Sequence, residues 1–84
     1  MMVGTIVAIN ALLGTLVVEV DDQTCVVLES PGHLTMEMGD QVDGDWKSED
    51  RLTVKNITRN EEFLADIQLI TKNRSEAIGS MSLL

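Results

Sequence analysis

Thr15-Leu16-Val17-Val18-Glu19-Val20-Asp21-Asp22-Gln23-Thr24-Cys25-Val26-Val27-Leu28-Glu29 is the stretch that decides how this chain is read. Two short runs rich in β-branched residues flank Asp21-Asp22-Gln23, a polar triplet suited to a three-residue hairpin turn. If Val20 faces Thr24, then Val18 faces Val26 and Leu16 faces Leu28. A third run, residues 3–9, lies upstream across a turn at 10–14, and it lets Ile6 face Val18 and Ala8 face Leu16. One register thus puts Ile6, Ala8, Leu16, Val18, Val26 and Leu28 on a single face. A slip of one residue would carry that whole set to the other face, so the agreement of three strands is a real constraint. The opposite face mixes Thr5, Glu19, Cys25 and Glu29 with Val7, Val17 and Val27, which implies that part of it is covered as well.

The alternation continues downstream. Ser30-Pro31-Gly32 is a turn, because Pro fixes φ and Gly tolerates positive φ. Leu34, Met36 and Met38 then alternate with Thr35 and Glu37 in a short strand or extended loop. Gly39-Asp40 introduces a strand over residues 41–47 with Val42 and Trp46 inward, and residues 51–58 follow with Leu52 and Val54 inward. A turn at Ser48-Glu49-Asp50, with Asp50 in the left-handed conformation, would pair Trp46 with Leu52 and Asp43 with Lys55. The last strand sets Phe63, Ala65, Ile67 and Leu69 against Leu64, Asp66, Gln68 and Ile70.

Hairpin-length connections and no long helical pattern predict an all-β fold. A sheet this small removes its edges by closing. The expectation is a single small barrel, closed or partly open, OB-like or a related Greek key, with five to six strands in residues 1–70. Residues 71–84 form a C-terminal tail, with one helical turn capped by Ser75 or no order. It docks on the barrel end, pairs with another copy or stays loose.

With 84 residues the chain makes one domain with a thin core. No apolar run reaches the roughly 20 residues of a membrane span, the start lacks a secretory leader's pattern, and Cys25 has no second cysteine to bridge. The expected compartment is the cytoplasm. The net charge of −8 is uneven: residues 1–46 hold eight acids and no Lys or Arg, whereas residues 47–84 hold six of each. Such a field repels phosphate backbones and favours solubility, basic partners or cations.

Residues able to carry chemistry are few. Cys25 and His33 are the one nucleophile-and-base pairing on offer, and the sequence leaves their separation open. Asp40-Gln41-Val42-Asp43-Gly44-Asp45 departs from the spacing of a calcium loop and reads as a turn leading into an acidic strand face. No catalytic residue, cofactor or metal ligand is assigned. Lys47, Arg51, Lys55 and Arg59 gather around one hairpin and are the candidate nucleic-acid patch; Lys55 would pair with Asp43, and would share a side with Arg59 if the strand ran that far. Barrels that bind single strands also stack bases on aromatic rings, and here Trp46 and Phe63 both fit the core. Met36 and Met38 suit either the core or an adaptable protein-binding patch.

Val3-Gly4-Thr5-Ile6-Val7, Val27-Leu28-Glu29, Met38-Gly39-Asp40-Gln41-Val42-Asp43-Gly44 and Val54-Lys55-Asn56-Ile57-Thr58 with Glu61 follow in an order that resembles a family of short bacterial proteins of unknown function. The resemblance runs to about Gln68. The Gly-Asp-x-Val element is also similar to one that introduces a strand in OB-type RNA-binding barrels, although their aromatics and basic surface are missing here. The residues lead to an expected non-enzymatic, acidic module that binds a protein partner. An OB-like nucleic-acid-binding domain using the basic hairpin is the alternative, and an enzyme built on Cys25 and His33 ranks last.

Overall fold

The computed structural model describes residues 2–20, 23–30, 36–46 and 51–81. Their elements are β1 (Met2–Asn10), β2 (Thr15–Glu19), β3 (Cys25–Glu29), β4 (Gln41–Gly44), β5 (Arg51–Asn56), β6 (Glu61–Thr71) and α1 (Arg74–Met81). The six strands close into a barrel in the order β1-β2-β3-β6-β5-β4, and every neighbouring pair is antiparallel. The topology is two three-stranded meanders, β1–β3 and β4–β6, joined by the β1–β4 and β3–β6 ladders. Closure meets the backbone hydrogen-bonding demand of both meanders, which alone would each leave two edges open.

The β2–β3 register is the one the sequence implies, with Leu16 opposite Leu28 and Val18 opposite Val26. Gln23 takes a φ of 65° beside the turn, and the Val20 N–H donates to the Thr24 carbonyl at 2.8 Å. The β1–β2 register holds only in part. Ile6 faces Val18, but a bulge at Val7 sets Ala8 opposite Val17 and Ile9 opposite Leu16. Ala8 therefore leaves the barrel interior, and Ile9 packs against it instead. A second bulge, at Gln68, does the same on β6: Ile67 faces Leu28 while Leu69 faces Val27, so Leu69 turns outward, away from Phe63, Ala65 and Ile67. An inserted residue resets the two-residue period locally, and strict alternation cannot foresee it.

Two buried clusters result. Ile6, Leu16, Val18, Val26, Leu28, Val42, Trp46, Leu52, Val54 and Ala65 fill the barrel, with Met36 against them. Outside it, α1 lays Ala77 and Met81 on Ala8, Val17, Cys25 and Val27, with Val7 and Leu69 at the margin. This is the cover that the half-apolar outer face requires. The helix spans eight residues rather than one turn, and its cap is Asn73 instead of Ser75: the Asn73 Oδ1 accepts from the Glu76 N–H at 3.0 Å.

Other boundaries also move. β4 ends at Gly44 rather than 47, and β5 ends at Asn56 rather than 58. The Asn56 Oδ1 accepts from the Arg59 N–H at 3.0 Å and Asn60 adopts a φ of 56°, which together turn the chain. Asp43 still faces Lys55, and Trp46, 6% exposed, shares the barrel core with Leu52. Gly44 makes room for the indole: a Cβ there would sit 3.2 Å from Trp46 and 3.3 Å from Leu52. Gly14 is needed on two counts, a φ of 70° and a Ser30 carbonyl oxygen 2.9 Å from where its Cβ would be. The predicted turns at Pro31-Gly32 and Ser48-Glu49-Asp50, Asp21 and Asp22 of the hairpin turn, the Leu34 segment and the last three tail residues lie outside the described residues.

Candidate functional site

The polar centre of the molecule is Asp40, which sequence reading treats as a turn residue. It is 5% exposed, and its Oδ2 accepts three hydrogen bonds: from the Glu37 N–H at 3.0 Å, the Asn56 Nδ2 at 3.0 Å and the Arg59 Nε at 2.7 Å. The Arg59 Nη2 continues to the Glu37 Oε2 at 3.0 Å. The backbone closes the knot. The Ile6 N–H donates to the Asp40 carbonyl at 2.9 Å, the Gly39 N–H to the Ile6 carbonyl at 2.8 Å, and the Gln41 N–H to the Thr58 hydroxyl at 2.8 Å. The loop entering β4 is thereby tied to β1 and to the β5–β6 turn. Burial alone would raise the Asp40 pKa, but the Asn56 amide, the Glu37 N–H and the Arg59 guanidinium outweigh it and hold the carboxyl below its ordinary value. Arg59 moves in the complementary direction, held protonated chiefly by its hydrogen bond to Asp40.

This knot reorganises the basic residues picked out in the sequence. Arg59 does not extend a strand face with Lys55; it folds back onto Asp40. Arg51 pairs with Asp66 at 3.2 Å. Lys55 lies in a cross-strand row with Asp43 on one side and Glu62 on the other. Lys47 lies outside the described residues. Each described base of the patch is thus set beside at least one acid.

Cys25 is fully buried under α1. Burial, and then the nearby Glu19, push its thiol pKa up, against a smaller opposing effect of Arg74, so the thiol is protonated at neutral pH. The thiol donates a weak hydrogen bond to the Gln23 carbonyl oxygen, 3.8 Å from Sγ. His33, the proposed base, lies outside the described residues. Asp43 and Asp45 do not continue as a regular strand pair, since β4 stops between them. Among the described residues no three His, Cys, Asp or Glu side chains gather as a metal site would require.

Apolar side chains in solvent are the remaining feature. Met36 packs into the barrel while Met38, two residues on, is 67% exposed, so the two methionines have different roles. Ile57, beside the Asp40 knot through its own N–H bond to the Gln41 carbonyl, is 44% exposed. No helix among the described residues is long and apolar enough to cross a membrane. A scan against protein-family models, a search of curated proteins and a search of solved structures each found no match to this chain, so the resemblance to short bacterial proteins rests on its sequence elements alone.

Proposed function

We propose that this barrel is a non-enzymatic interaction module whose partner is a protein, met at the pinned loop that presents Met38. The observation that carries the reading is the contrast within that loop. Its backbone is fixed on both sides of the side chain, by Gly39 to Ile6 and by Glu37 to Asp40, yet Met38 itself stands in solvent. An exposed thioether on a rigid loop offers adaptable apolar contact without paying loop-ordering entropy on binding. The acidic N-terminal half of the sequence suits a partner segment that carries basic residues around an apolar one. Among the described residues, Cys25 lies under the helix and the Asp40 Oδ2 accepts from three donors within its own fold.

Photocrosslinking tests the reading. A photoreactive residue is placed at position 38 in one sample and at position 53, on the outer face of β5, in another, and both are exposed to lysate. A discrete adduct from position 38, competed by unlabelled wild-type protein and not by Met38→Glu, is the expected result. The same pattern from both positions would sink the proposal. The nucleic-acid alternative draws less support, since Arg51 and Arg59 are paired and Lys55 is flanked by acids. Amide shifts at Arg51 and Lys55 on titration with single-stranded RNA at low salt, reversed by added salt, would revive it.

A further inference from the structure

We propose that α1 is a displaceable cover, released from the barrel as a unit, whose departure uncovers Cys25 and an apolar strip while the barrel core stays closed. The strip is formed by Val7, Ala8, Val17, Cys25, Val27 and Leu69. The clusters inside and outside the barrel are distinct, so losing the outer one takes no residue from the inner one.

The attachment of α1 is slight. Ala77 and Met81 are its buried residues, whereas Arg74, Ser75, Glu76, Ile78 and Gly79 are exposed. A hydrogen bond from the barrel to the helix, Asn10 Nδ2 to the Met81 carbonyl, is long at 3.5 Å. Packing beside it is incomplete: a cleft of ≈ 240 Å³ opens among Thr15, Val27, Gln68, Ser80 and Met81. On the same face the Thr15 hydroxyl is buried with no hydrogen-bond partner. Release would let water reach that hydroxyl, so a penalty carried in the closed state disappears in the open one.

The helix also lacks the means to persist undocked. Eight residues are too few for a stable isolated helix, and Arg-Ser-Glu-Ala-Ile-Gly-Ser-Met includes Gly and two Ser. Undocking and melting are therefore one event. Opening of this kind belongs to the low-energy end of a protein's conformational range, well below global unfolding.

Cys25 reports the opening in the intact chain. Its thiolate displaces iodide from iodoacetamide, giving a thioether, with the thiol proton lost to solvent. Labelling is followed against denaturant alongside Trp46 fluorescence, which reports the barrel core. The cover predicts labelling in water with a denaturant dependence much shallower than that of Trp46. Gly79→Ala adds helix propensity where a Cβ meets nothing within 4 Å, and it should slow labelling about fourfold. Met81→Ala should speed it roughly tenfold or more, with Trp46 emission unchanged. Labelling with the same denaturant dependence as Trp46, or a rate indifferent to Gly79→Ala, would overturn the proposal, and neither depends on a destabilised variant folding.

Discussion

Strands β2 and β3 are buried on both faces, while β4 and β5 are buried on one. The first pair shows near-continuous burial, with Leu16, Val17 and Val18 on β2 and Cys25, Val26, Val27 and Leu28 on β3 all inaccessible. On β5 burial alternates residue by residue, with Leu52, Val54 and Asn56 inside and Arg51, Thr53 and Lys55 outside. All four strands share one barrel and one core, so the difference lies outside it: α1 covers the first pair and solvent meets the second. A strand's hydrophobic period thus reports how many of its faces are covered, and the sequence of β2 and β3 already implies an element that packs from outside.

Variants of graded severity can break that comparison. Trp46→Ala should have the largest effect, about 3–5 kcal/mol, because it empties the inner face that both regions share. In a domain of this size that loss is expected to abolish folding, read as the absence of a cooperative denaturant transition. A near-normal midpoint would place the core elsewhere. Next, Asp40→Ala should cost roughly 2–3 kcal/mol by stripping partners from Asn56, the Glu37 N–H and Arg59.

The pH dependence follows from the same residue. Because the folded-state pKa of Asp40 is depressed, its contribution is complete above the unfolded value of about 3.9 and is lost as pH falls through the folded value. Asp40→Asn should therefore lose less stability on acidification than the wild type in that window, measured by urea midpoints at successive pH values. Parallel profiles would show that Asp40 is not the titrating group.

Two outward-facing substitutions sharpen the contrast itself. Val27→Thr keeps the shape but buries a hydroxyl beneath α1, and should cost about 1–2 kcal/mol. The reverse exchange on the open side, Thr53→Val, should stay within about 0.5 kcal/mol. Equal effects from the two would mean that α1 does not seal the face of β3.

Much of the fold was legible because antiparallel pairing reduces to alternation and turn length. The β2–β3 register, the Asp43–Lys55 pair and burial of Trp46 all follow from local pattern. The candidate site was far less legible. Arg59 reads as a strand-face base and is in fact the clamp on a buried carboxylate; Asp40 reads as a turn residue and is the centre of a knot. Partners 16 and 19 residues apart in the chain leave no periodic trace for a sequence to show.

The succession of strands, the turn over residues 10–14 and most of the inner face follow from the amino-acid order, since these depend on neighbours and on a period of two. It also implied an outer cover, from apolar residues with nowhere else to go. The bulges at Val7 and Gln68, which turn Ala8 and Leu69 outward, and the helix that meets them arise only in the folded chain. Each bulge is a compromise between strand pairing and the packing of a distant element, and that balance exists only once the chain has closed on itself.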